Sequence, residues 1–308
     1  MTRSSARRNG PVLVGVTDDT GSTAVSWAAA EAARRGVPLH LLHAYSSESS
    51  YPWGYGYPLP AGVLHSAEEV ARNNALSVLE DAANTVRDEH PDVEVLTTLA
   101  RGSAAASLVS GSADSSLLVV SRRMHKHPRL AALGSVSLAV AAHAACPVIV
   151  LPAAGTPQGP TDATGSPWRA TGHVVVGVED SPECLDAAGF AFAHAAARGL
   201  PVTVVHAWWV DPAVLAMSEV AAWAELDADE PVVVDAILAP WLGRYPDVRV
   251  TRVIAREQPA DALLGAAAGA ELLVVGSRGR GGFTGLLLGS VSQAVLHHSR
   301  CPVAIVHK

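Results

Sequence analysis

Cysteine is scarce in this chain: Cys146, Cys184 and Cys301 are the three among 308 residues. They are too few, and too odd in number, for a disulfide framework, and they fit a reducing, cytoplasmic setting. Aromatic residues are also sparse at 5%, and charged residues reach only 17%. No apolar run approaches the roughly 18 residues that span a bilayer, so no membrane partner is expected. The opening MTRSSARRNG carries positive charge but lacks the apolar segment and cleavage site of a signal peptide. Twenty-two Lys and Arg stand against 29 Asp and Glu, for a net charge of −7. That balance argues against a nucleic-acid partner, which would want a basic face. Any anion site must be locally basic on an acidic protein.

Familiar catalytic signatures are missing too. The chain has no G-x-x-x-x-G-K-[ST], no G-x-S-x-G, no H-E-x-x-H and no Cys-X-X-Cys. Its first strand–helix turns read GVTDDTGS and GVEDSPE, which excludes the G-x-G-x-x-G dinucleotide fingerprint. With no Walker lysine, no identifiable base and no arginine finger, nothing points to vigorous turnover, and at most slow hydrolysis is expected.

What the chain does have is a repeat. VLVGVTDD (Val12–Asp19) answers VVVGVEDS (Val174–Ser181), and EAARRGVPLHLLHAY answers HAAARGLPVTVVHAW. LGSVSLAVAAHAACPVIV answers LGSVSQAVLHHSRCPVAI at an offset of 155 residues. Two domains are expected, 1–152 and 172–308, joined by a Pro-, Gly-, Thr- and Ser-rich linker at 153–171. The first copy carries an extra SSYPWGYGYPLPAG (Ser49–Gly62), too heavily punctuated by Gly and Pro for regular structure and read as a lid or contact loop. Within each copy, continuous apolar runs alternate with Ala-rich helical stretches. In the second copy the runs are Val174–Val178, Val202–Ala207, Arg249–Ile254, Leu272–Val275 and Val303–Val306. Unbroken runs suit strands buried on both faces of a mostly parallel sheet. Each copy is therefore expected to be a five-stranded, doubly wound α/β domain with helices on both faces. Ser181–Pro182 should cap and open the first helix of the second copy, and Gly199 should close it.

The densest signal is VVGSRGRGGFTGLLLGSVSQAV (Val274–Val295). Gly276 ends a strand, where a bare backbone admits a close approach. Gly279 can take φ > 0 and curl successive N–H groups into an anion nest. Gly289 clears the start of the last helix, with Ser290 as N-cap and Gln293 completing a capping box. A phosphate there meets free N–H groups and the positive end of a helix dipole, with Arg278 and Arg280 adding charge. Each hydrogen bond to a charged group contributes about 1.5–3 kcal/mol. Four or five of them, with a buried base, reach the roughly −8 kcal/mol of micromolar binding.

The pattern G-x2-G-x9-G-S after the fourth strand, the closing GSVSQAVLHHSRCPVAIV and the opening VVVGV resemble the universal stress protein family, in its tandem two-domain bacterial form. The resemblance covers nearly the whole chain apart from the first ten residues, the linker and the insertion. It implies that ATP, with or without Mg²⁺, is held by Gly276, Gly279, Gly289, Ser290 and Val291, with Ala207 meeting the adenine through its backbone. The family places an aspartate where this chain has Glu179, which would bind a sugar hydroxyl, the adenine or Mg²⁺. The resemblance further implies a nucleotide-responsive regulator whose last strands, CPVIVLP and CPVAIVHK, pair antiparallel between the two domains. Dimers of whole chains and an unidentified protein partner would be the next level of assembly.

The first copy departs from the pattern. Its loop SRRMHKHPRLAALGS has Ser121 and Met124 where the early glycines belong, Pro128 within it, and Thr17 in place of the acid. One competent site per chain is expected, beside a degenerate copy whose Arg122, Arg123, Lys126 and His127 stay basic. The recurring His43 and His206, and His143 and His298, are read as hydrogen-bonded structural groups, with no metal site. The rival reading is an interaction module without ligand, acting through dimerisation or the Ser49–Gly62 segment.

Overall fold

The structure, a computed structural model, describes residues 9–17, 23–46, 61–122, 134–152, 172–179, 181–209, 220–279 and 288–307. The chain divides into two compact units, Met1–Ala154 and Gly155–Lys308. Unit one runs β1 (Val12–Gly15), α1 (Thr23–Arg35), β2 (Leu39–Tyr45), α2 (Ala61–Glu89), β3 (Val95–Arg101), α3 (Ala104–Gly111), β4 (Leu117–Ser121), α4 (Ser135–His143) and β5 (Val148–Leu151). Unit two repeats the order with β6 (Val174–Gly177), α5 (Pro182–Ala196), β7 (Val202–Ala207), α6 (Val220–Arg244), β8 (Val250–Ala255), α7 (Pro259–Ala266), β9 (Leu272–Gly276), α8 (Ser290–His298) and β10 (Val303–Val306).

In unit one the strands lie in the order β3-β2-β1-β4-β5, every pair parallel. In unit two the order is β8-β7-β6-β9-β10, again parallel throughout. Val176 stands level with Val204 on one side and Val274 on the other, which fixes the register at the centre. Order reverses at β1 and at β6, and right-handed crossovers on either side of that reversal send their helices to opposite faces. Continuous apolar runs become central strands because both faces are covered. Val12, Leu13, Val14, Leu117, Leu118 and Val119 are wholly buried, as are their counterparts Val174, Val175, Val176, Leu272, Leu273 and Val274. The outer strands β3 and β8 instead mix exposed with half-buried residues.

Helix ends follow local chemistry. Gly199 closes α5 at φ 65°, with Leu200 N–H donating to Ala195 O at 3.0 Å. Gly36 ends α1 in the same way at φ 63°, so both copies stop their first helix with a glycine in the left-handed region. Ser181 precedes α5 with Pro182 as its first residue, but the serine side chain caps no helix amide. Its Oγ donates to Glu179 Oε1 at 3.1 Å instead. The Ser49–Gly62 segment falls mostly outside the described residues, and Ala61 and Gly62 are the first two residues of α2 rather than loop. A close approach locks α5 to α6: a Cβ on Gly189 would lie 2.6 Å from Trp241 Cη2. Only a residue without a side chain lets that indole come so close.

Candidate functional site

The reversal of strand order in unit two opens a cleft of about 340 Å³ at the carboxyl ends of β6 and β9. Its size falls at the lower end of the roughly 300–1,000 Å³ typical of small-molecule sites. The end of β6 contributes Gly177, Val178 and Glu179, and β7 contributes Val205 and Ala207. Pro259 and Leu263 come from α7 and Cys184 from α5. The end of β9 and its loop give Val275, Gly276, Arg278 and Gly279, and the start of α8 gives Gly289, Ser290, Val291 and Ser292 beside Leu288. Eight of the nine residues singled out from sequence thus meet around one cleft. Arg280 lies outside the described residues.

Each side of the cleft is held by specific contacts. A Cβ on Gly177 would lie 3.1 Å from Leu263 Cδ2, so the glycine lets α7 press against β6. His206 Nδ1 lies 2.9 Å from Val178 O; a carbonyl only accepts, so this ring nitrogen carries the proton. His43 repeats the contact with Val16 O at 2.9 Å, which gives the recurring histidines their structural role of fixing the strand end beside the mouth. Glu179 N–H donates to Cys184 Sγ at 3.3 Å. Gly289 N–H donates to Ser277 O at 2.8 Å, and Ser292 Oγ donates to Gly276 O at 2.7 Å. These two bonds clamp the first turn of α8 onto the end of β9.

The start of α8 differs from the sequence expectation. Gly289 is the N-cap and Ser290 the first helical residue, and among the described residues no side chain caps the leading amides. Gln293 makes no capping box; its Nε2 donates to Leu288 O at 3.3 Å. A glycine cap supplies no side-chain acceptor to the N–H groups of Ser290, Val291 and Ser292, which line the cleft where the helix dipole adds partial positive charge. A cleft with apolar walls, helix-start amides and a carboxylate can hold a flat polar heterocycle with an attached anion.

Gly279 also departs from expectation. It is not among the glycines with positive φ, so no left-handed curl forms at this residue. Its missing side chain leaves room for Glu179 instead: a Cβ there would sit 2.6 Å from Oε1 and 2.9 Å from Oε2.

Sequence reasoning missed Ser292, Cys184, Gly177 and Leu263. For two of them the repeat held a signal. Ser292 answers Ser137, whose Oγ donates to Ser121 O at 3.1 Å, and Gly177 answers Gly15, which faces Leu108. Unit one has a cavity of about 800 Å³ at the corresponding place, lined among others by Thr17, Ala44, Tyr45, Asn74, Ser121 and Ser135. Gly134 caps α4 there, again without a side-chain bond. Arg123, Met124, Lys126, His127 and Pro128 lie outside the described residues. Among the described residues no cluster of three or more His, Cys, Asp or Glu could hold a metal ion, and no helix is long and apolar enough to cross a membrane.

Two doubly wound parallel α/β units in tandem, each with a cavity where strand order reverses and an uncapped helix start beside it, define the class of protein. Two segments, residues 9–152 and 171–307, each match the model of the universal stress protein family, and the chain belongs to that family. It is 34% identical over 307 residues to a universal stress protein of Mycobacterium tuberculosis strain H37Rv, covering 96% of each chain. A Mycolicibacterium smegmatis universal stress protein is 35% identical over 304 residues, again covering 96% of both. Among solved structures, a universal stress protein from Archaeoglobus fulgidus superposes with a TM-score of 0.61 at 17% identity, covering 98% of this chain and 97% of that one. A putative universal stress protein from Pseudomonas aeruginosa does the same at 0.61 and 17%, covering 98% and 95%. At such identity these two establish the fold alone.

Proposed function

We propose that the C-terminal unit binds an adenine nucleotide such as ATP, and that occupancy of this cleft, rather than turnover, makes the protein a nucleotide-responsive stress regulator. The observation that carries the reading is the bare start of α8, whose Ser290, Val291 and Ser292 amides border a cleft walled by Val178, Val205, Ala207 and Leu263. The apolar residues suit the adenine, the Ala207 backbone its edge, and the amides of α8 with Arg278 the phosphates. The resemblance carried by the G-x2-G-x9-G-S loop supports the same assignment. Magnesium usually binds through one or two carboxylates plus substrate phosphates, and Glu179 offers one carboxylate in this cleft. The donors present therefore fit a cation that arrives with the nucleotide, for which Glu179 would supply an oxygen. Magnesium would neutralise phosphate charge when bound. Three buried thiols suit the reducing cytoplasm in which such a regulator would work.

The test is direct. Protein purified without added nucleotide, then heat-denatured, should release adenine nucleotide detectable by absorbance and chromatography, at up to one equivalent per chain. Protein stripped of nucleotide should rebind it, and failure to release or rebind any adenine compound would refute the assignment.

A further inference from the structure

We propose that Glu179 selects the charge of the ligand, so that the C-terminal cleft takes a nucleoside, a nucleoside monophosphate or a metal-neutralised triphosphate in preference to a free polyphosphate. The inference rests on the adenine-nucleotide reading of this cleft and deepens it.

The observation is where the carboxylate lies. Glu179 leaves the end of β6 and reaches across the reversal of strand order to Gly279, where an added Cβ would stand 2.6 Å from Oε1 and 2.9 Å from Oε2. Gly279 is part of the loop that sequence alone assigns to a phosphate, yet its open face is covered by an acid. Ser181 Oγ, 3.1 Å from Oε1, holds the carboxylate in that pose. Arg278 and the start of α8 border the same cleft, so the groups that attract an anion share it with a carboxylate. A single phosphate fits against the α8 amides. Each further phosphate adds negative charge to a cleft that Glu179 already lines, and like charges in a partly desolvated cleft repel. A divalent cation shared by the carboxylate and the phosphates reverses the sign of that contact. The same acid that opposes free ATP thereby favours its metal complex.

Isothermal titration calorimetry on the full chain, stripped of nucleotide, reads this out with adenosine, AMP, ATP in EDTA and ATP in excess magnesium. The wild-type protein is expected to bind AMP at least about tenfold tighter than ATP in EDTA, with magnesium restoring ATP affinity. Glu179→Gln keeps the shape and removes the charge, so it should raise affinity for ATP in EDTA and abolish the gain from magnesium. Glu179→Asp should do so in part, because the shorter side chain withdraws from Gly279. Metal-free ATP binding wild-type protein as tightly as AMP overturns the inference without need of any variant, as does an unchanged AMP-to-ATP ratio in Glu179→Gln. If no adenine ligand binds the wild type or a variant, the reading of the cleft itself fails, and this inference with it.

Discussion

Ser292 Oγ donates to the carbonyl oxygen of Gly276 across 2.7 Å, tying the first turn of α8 to the end of β9. The corresponding pair in unit one, Ser137 and Ser121, makes the same bond at 3.1 Å. Recurrence of the contact in both units marks it as the device that aims each helix start at its cavity. Removing the hydroxyl takes a hydrogen bond from a part-buried carbonyl, a loss of about 0.5–1.5 kcal/mol. Ser292→Ala is therefore expected to lower stability by about 1 kcal/mol in denaturant titration and to weaken ATP several-fold, whereas Ser137→Ala lowers stability but leaves ATP affinity in unit two unchanged.

Gly279→Arg sets a bulky side chain where the Glu179 carboxylate lies and is expected to abolish ATP binding with the fold intact. Calorimetry reads the affinity and circular dichroism the fold.

The packing of α5 on α6 gives a prediction about stability alone. A Cβ at Gly189 would meet three ring atoms of Trp241, at 2.6, 3.0 and 3.1 Å. An indole is stiff, so the strain falls on helix separation. Gly189→Ala should cost about 1–3 kcal/mol in unfolding free energy, as overpacking does, with ligand affinity retained once folding is complete. A melting temperature equal to that of the wild type contradicts the packing described.

Burial on β2 holds the His40 imidazole below its ordinary protonation range, with Nε2 2.8 Å from Thr98 Oγ1. The unfolded chain then binds this proton more readily than the folded one, so stability rises with pH across that interval. The contribution is fully present above the unfolded value, near 6.5, and is lost as pH falls through the lowered folded value. His40→Gln should flatten the stability profile over that acid interval, measured by denaturant midpoints from pH 7 downward. A profile unchanged by the substitution assigns the pH dependence to other groups.

The strands were legible because a parallel sheet covered on both faces demands unbroken Val and Leu runs. Those runs end where strands end to within one residue: Leu272–Val275 was expected and Leu272–Gly276 is found. The Gly199 helix stop was legible for an equally local reason, since the left-handed region favours glycine. The start of α8 was misread by one position. A Gly-Ser pair suits either a serine cap or a glycine cap followed by serine, and the choice is made by Gly289 N–H bonding Ser277 O. No local pattern encodes that bond. Gly279 was misread for a similar reason. Its bareness was attributed to backbone freedom, whereas the requirement comes from Glu179 on a different strand, a contact that exists only once β6 and β9 are side by side.

The most direct test is a calorimetric titration of magnesium-ATP into the stripped full chain, with Gly289→Leu alongside. A Cβ at Gly289 already lies 3.4 Å from Arg278 Cα and 3.6 Å from Ser277 O, and a leucine crowds the amides that border the cleft. The wild type should show one saturable site of about micromolar affinity, and the variant, melting as a folded protein, should show none. Equal affinity in the two proteins, or no saturable heat in the wild type, contradicts a phosphate site at the start of α8.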